Sequence, residues 1–155
     1  MSRLRVAVVG AGQFGRNHIR VVRGSPRAEL VAIVDSDADR AAQAGAEASC
    51  EALADARDLA GRADAAILAI PTSAHSGVGC ALMEAGLDVL VEKPIAPDLD
   101  SADRLVETAR ATGRVLQAGH LERYNPVVQA LERVVTRPLF FEIHRLSVFT
   151  PRSLD

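Results

Sequence analysis

Short apolar runs alternate with helix-patterned segments along almost the whole chain, and that alternation limits the fold more than any other feature. "LRVAVVG" (Leu4 to Gly10) is valine-rich and stops on glycine, the pattern of a buried strand. Gln13 to Arg23 follows with helical spacing, its candidate inner positions being Phe14, Ile19 and Val22. "ELVAIVD" (Glu29 to Asp35) reads as a second strand, and alanine-rich Asp37 to Ala48 as a strong helix. A short third strand is expected near Ala48 to Glu51, followed by a helix over Asp55 to Ala60. "ADAAILAI", from Ala63 to Ile70, is the fourth strand, with a helix expected over Ala74 to Ala85 and closed by Gly86. Val89 to Val91 is the fifth. Leu99 to Thr112, opened by an aspartate and closed by Gly113, is the next helix, and "RVLQAGH" (Arg114 to His120) the sixth strand.

Such alternation implies a parallel sheet with right-handed helical crossovers on both faces. Six strands fit an α/β, doubly wound dinucleotide-binding (Rossmann) fold, whose ligands lie beyond the carboxyl ends of the strands. At 155 residues the chain has the length of about one domain. Its net charge of −2 offers no sign of a nucleic-acid or acidic-membrane partner. No apolar run approaches the roughly 20 residues that cross a bilayer. Cys50 and Cys80 form neither a metal-binding pattern nor a disulfide framework, and the four histidines lack ligand spacing, so no metal is expected and a cytoplasmic setting is.

The strand ends carry the chemistry. "GAGQFG" follows the first strand and opens the first helix, which gives the GxGxxG pattern its required context. There Gly10 permits the tight turn, Gly12 leaves room for a pyrophosphate, and Gly15 lets helix and strand pack closely. Asp35 ends the second strand about 20 residues beyond Gly15, where a carboxylate can accept the adenine-ribose hydroxyls and repel a 2′-phosphate. NAD is therefore expected over NADP, the more so because the next basic residue is Arg40. Asp37 is the better candidate to cap the helix that follows.

The fourth strand runs into "IPTSAH", where Thr72 and Ser73 could cap a helix and His75 could simply be solvated. The fifth ends in Glu92, Lys93 and Pro94. A lysine at that edge, close to a bound nicotinamide, could stabilise a substrate alkoxide or accept the hydroxyl proton.

"GAGQFGRNH", "VDSDADRA", "AIPTSAH", "EAGLDVLVEKPIA" and "AGHLERYNP" together resemble the family of glucose–fructose oxidoreductase, inositol dehydrogenase and the rhizopine-catabolism dehydrogenases. The resemblance covers essentially the whole chain, and its "VLVEKP" and "RYNP" elements are the specific ones. It implies that Gly10, Gly12, Gln13 and Phe14 form the pyrophosphate loop and that Asp35 accepts the adenine ribose. It places Ile70, Pro71, Thr72 and His75 beside the cofactor riboses and Glu92 near the nicotinamide ribose. Lys93 matches the catalytic lysine, while His120 and Asn125 match a loop on the nicotinamide side of the cleft. The implied reaction is NAD-dependent oxidation of a secondary hydroxyl of a sugar or nucleotide sugar. "GHLERYNP" and the segment after it look like the branch acting on UDP-linked amino sugars, with UDP-N-acetylglucosamine oxidised at C3 as the finer expectation.

Residues 1–120 are thus expected to form the dinucleotide domain, and 121–155 a connecting helix and the start of a second α/β domain. Phe140 to Phe149 would be that domain's first strand. In the family the second domain covers the cleft, supplies a catalytic aspartate and histidine, and usually forms the subunit interface. The expectation is that the chain stops before these appear, binds NAD, turns over little alone, and belongs to a protein that oligomerises at full length. A stand-alone NAD-binding module that senses redox state, a dehydrogenase of inositol or another small polyol, and a biliverdin-reductase-like enzyme are the alternatives.

Overall fold

The structure, a computed structural model, describes residues 2–140 together with 142, 144 and 146. Its elements run in chain order β1 (Leu4–Val9), α1 (Gln13–Gly24), β2 (Ala28–Val34), α2 (Ala38–Ala48), β3 (Glu51–Leu53) and β4 (Ala65–Leu68). There follow α3 (Thr72–Glu84), β5 (Asp88–Val91), α4 (Leu99–Thr112), β6 (Leu116–Ala118) and α5 (Pro126–Val134). Single 3-10 turns occupy Ala56–Leu59 and Leu121–Tyr124. The strands form one six-stranded sheet in the order β3-β2-β1-β4-β5-β6, and every pairing is parallel. This is the doubly wound Rossmann arrangement, with its order reversing between β1 and β4.

Side-chain alternation along the central strands explains why both faces are covered. In β1, Ala7 and Val9 join one apolar cluster while Val8 joins the other. In β2, Ala32 and Val34 divide from Ile33 in the same way. One face packs on Leu82 and Met83 of α3 and Leu105 of α4; the other on Ile19 of α1 and Ala44 and Ala48 of α2. Ile33, Leu68, Leu82, Met83 and Leu105 are fully buried, each contributing about 1.5–3 kcal/mol of apolar transfer. Helices α3 and α4 approach closely at Gly79, where an added Cβ would come within 2.7 Å of Leu105 Cδ2. Both cysteines are free, Cys50 half-buried and Cys80 buried against α4, where Thr108 donates to its sulfur.

Several local expectations shift. The third strand begins at Glu51, because Ser49 takes a left-handed conformation that ends α2. Helix α3 starts at Thr72 behind Pro71, so neither Thr72 nor Ser73 caps it. Phe14 points outward at 45% exposure, and the buried face of α1 is Gly15, Ile19 and Val22. Asp37 does cap α2, accepting from the Arg40 amide, and Asp98 caps α4 through the Ser101 amide.

The chain divides into two units, the first ending at Gly119 and the second starting at His120. In the second, Asn125 caps α5 by accepting from the Val127 amide at 3.0 Å and donates to Glu122 Oε2 at 2.8 Å. Of the expected strand Phe140 to Phe149 only Phe140, Glu142, His144 and Leu146 are described; the rest lies outside the described residues. No described helix is long and apolar enough to cross a membrane.

Candidate dinucleotide and catalytic site

The carboxyl ends of the strands are locked to one another one residue beyond the sheet. Asp35 N donates to Leu53 O, Gly10 N to Val34 O, Ala69 N to Val9 O, Glu92 N to Leu68 O and Gly119 N to Val91 O. The five bonds, 2.7 to 3.2 Å long, put the residues that follow β2, β1, β4, β5 and β6 along one continuous edge. Every strand-end residue singled out in the first unit lies there.

At the centre of that edge is the glycine loop. Gly10 has φ +97°, and a Cβ on it would come within 2.3 Å of Ala69 O. A Cβ on Gly15 would come within 1.7 Å of Gly10 O, so both positions require glycine for space alone. Gly12 differs: nothing lies within 4 Å of where its Cβ would be. That open backbone, at the start of a twelve-residue helix, fits the approach of a pyrophosphate. Gln13 and Phe14 are exposed on the first turn.

Asp35 closes one end of the site. It is buried, and its two oxygens accept from four groups: Ala11 N at 2.8 Å, Asp37 N at 3.0 Å, and Arg40 Nε and Nη2 at 2.9 and 2.8 Å. Burial alone would push its carboxyl up, but the Arg40 guanidinium and the two backbone amides more than offset this and hold it below the usual carboxylate range. Arg40 lies five residues beyond Asp35, and the first turn of α2 lays it across the carboxylate. The side chain of Arg40 is 45% exposed, so it can leave without disturbing the core. A basic side chain therefore stands directly against Asp35.

Beyond β4, Ile70 is half-buried, Pro71 exposed and Thr72 half-buried. His75 is buried, which overturns the solvated reading. Its Nδ1 lies 3.0 Å from Pro94 O and its Nε2 2.9 Å from Ile70 O. It thus ties the loop after β4 to the loop after Lys93, and both ring nitrogens face protein carbonyls rather than open space.

Glu92 is also buried, and both its oxygens are engaged. Oε1 accepts from His18 Nε2 at 2.8 Å, and Oε2 from the Lys93 amide at 3.1 Å. Lys93 itself is exposed, and among the described residues its ammonium has no hydrogen-bond or ion-pair partner. The Lys93–Pro94 peptide is cis. In the second unit His120 is exposed, and Asn125 serves as the cap of α5. Two participants were missed from the sequence. Arg40 could have been found from its position one turn past Asp37; His18 could not, since its partner is 74 residues away. No described group of three or more His, Cys, Asp or Glu is arranged to hold a metal ion.

Residues 4–120 match the model of an oxidoreductase family with an NAD-binding Rossmann fold. The chain belongs to that family, the one named for glucose–fructose oxidoreductase, inositol dehydrogenase and rhizopine catabolism. It is 36% identical over 156 aligned positions to UDP-N-acetylglucosamine 3-dehydrogenase of Acidithiobacillus ferrooxidans, covering 100% of this chain and 49% of the relative. It is 37% identical over 137 positions to inositol 2-dehydrogenase of Corynebacterium glutamicum, covering 85% of this chain and 41% of that one. The solved Acidithiobacillus structure superposes with a TM-score of 0.81 at 34% identity, over 86% of this chain and 44% of the other. The chain spans about half or less of the length of these relatives.

Proposed function

We propose that the chain is the cofactor half of an NAD-dependent dehydrogenase that oxidises a secondary hydroxyl of a sugar or nucleotide sugar. The observation that carries this reading is Lys93: an exposed lysine whose amide is bonded to the Glu92 carboxylate, on the same strand-end edge as the glycine loop. A bound nicotinamide ring supplies the hydride acceptor. Gly12 and the first amides of α1 receive the pyrophosphate, and Asp35 takes the adenine ribose once Arg40 swings aside. Gln13, Phe14, Ile70, Pro71 and Thr72 line the path between the ends, and Glu92 borders the nicotinamide ribose. His75 acts from below, by holding the loops that carry Ile70 and Pro94. Lys93 assists loss of the hydroxyl proton by charge stabilisation or by accepting it. His120 and Asn125 belong to the segment leading to the substrate side.

The preferred substrate is UDP-N-acetylglucosamine, oxidised at C3, supported by the 36% identity along the whole chain to a dehydrogenase of that name. An inositol is the second reading, supported by the 37% identity to an inositol dehydrogenase. The activity and any homo-oligomer belong to a protein of the relatives' full length, in which these residues hold the cofactor.

Two measurements test the reading. Thermal unfolding with saturating NAD or NADP is expected to show the larger stabilisation with NAD; a larger shift with NADP overturns the role given to Asp35. Absorbance assays of the full-length protein with UDP-N-acetylglucosamine and myo-inositol are expected to show NADH formation with the nucleotide sugar. Turnover of inositol alone transfers the assignment to the polyol class.

A further inference from the structure

Glu92 is held from three sides. His18 donates to Oε1 at 2.8 Å from α1, with the two side chains only 18% and 12% exposed. The Lys93 amide donates to Oε2 at 3.1 Å. Behind it Gly119 leaves no slack, since a Cβ there would come within 3.1 Å of Oε2 and 3.4 Å of the Glu92 Cα. A carboxylate boxed in this way cannot swing to a second rotamer without breaking one of its bonds. His18 belongs to the helix that begins at the glycine loop, and Lys93 follows the β5 strand end. The carboxylate is thus a bridge between the pyrophosphate-binding helix and the main chain that aims the lysine.

We propose that His18 is a positioning residue: through Glu92 it fixes the main chain at Lys93, joining the pyrophosphate end of the site to the nicotinamide end. The inference rests on the cofactor reading above for its ligand, but not for its geometry. The bond needs only a donor at the Nε2 position, which a neutral imidazole with its proton on Nε2 and an imidazolium both supply. A glutamine amide can reach nearly the same point; leucine fills the space and donates nothing.

The test compares wild type, His18→Leu and His18→Gln in two experiments on the chain as it stands. In ligand-free amide NMR spectra, His18→Leu is expected to shift the Lys93 amide, which is bonded to Glu92, with His18→Gln returning it toward wild type. By calorimetry, His18→Leu is expected to weaken NAD binding about tenfold and leave ADP, which lacks the nicotinamide riboside, within twofold. His18→Gln is expected to recover most of the NAD affinity. A Lys93 amide that does not move, equal losses for NAD and ADP, or a glutamine variant as weak as leucine would each overturn the proposal. A wild-type chain that binds neither NAD nor ADP while its Lys93 amide responds as expected overturns the cofactor reading instead and leaves the positioning role standing.

Discussion

Two acidic residues follow β2 and β5 on the same edge, with two strands between them, and their partners differ. Asp35 is saturated: four donors converge on it, two from the main chain and two from Arg40. Glu92 is saturated too, but its bonds leave the next residue, Lys93, with a fixed backbone and an exposed ammonium. At the Asp35 corner the acid is the group proposed to meet the ribose, and a half-exposed arginine covers it. At the Glu92 corner both acid oxygens are tied up, and the lysine proposed to act stands beside it. A carboxylate in a binding edge therefore declares its role through its partners rather than its position.

The contrast is broken most severely at Lys93. On the proposed function, Lys93→Ala is expected to lower turnover by a protein of the relatives' full length about 10²- to 10⁴-fold. Stability should stay within about 0.5 kcal/mol, as for an exposed side chain without partners. Assays of turnover beside chemical unfolding would check both; a large stability loss would show that the lysine is scaffolding after all. Asp35→Ala should do the reverse on stability. Leaving the buried Ala11 amide without its acceptor is expected to cost about 1–3 kcal/mol in denaturant unfolding, together with weaker NAD binding. An Asp35→Ala chain as stable as wild type would mean that the corner is held by something other than its carboxylate.

Arg40→Ala sharpens the comparison without dismantling it. Removing the covering guanidinium should weaken NADP about two- to fivefold, the range of an exposed charge pair, while NAD binding is kept. Paired titrations of the two cofactors would show it, and equal losses for both would deny that Arg40 stands where a 2′-phosphate would lie. The smallest effect is on pH dependence. The Asp35 carboxyl is held below its ordinary value in the folded chain, so its contribution to stability is full above the unfolded value of about 3.8. It is lost as pH falls through the folded value. Asp55, hydrogen-bonded to the Arg57 guanidinium and amide, is lowered to about 2 and extends the same acid limb. Melting temperature followed from pH 5 to pH 2 should fall progressively, and in Arg40→Ala, where the folded Asp35 value rises toward the unfolded one, the Asp35 part of that fall should be smaller. A melting temperature unchanged across that range would contradict the shifts.

Much of the frame could be read without coordinates because its signals are local. Valine-rich runs, Gly10 and Gly15 at their fixed spacing, Asp37 and Asp98 as caps, and Gly113 as a stop each act within a few residues. The misreadings have local causes as well. Phe14 is apolar yet exposed, because Gly15 rather than Phe14 must meet the Gly10 carbonyl. Ser49 turned left-handed and delayed β3, a choice that side-chain propensity does not announce. Thr72 and Ser73 looked like caps, but α3 had already begun behind Pro71.

By itself the sequence determined the alternation, the parallel sheet it requires and the glycines that let a helix start against β1. Those follow from steric and hydrophobic rules with a reach of a few residues. Only the tertiary structure decided that His75 would reach the Pro94 carbonyl and that His18 would grip Glu92. Those contacts join groups on different elements, and their existence depends on how helices lie across a twisted sheet. Packing of the whole sheet, rather than any local pattern, brought them within bonding distance.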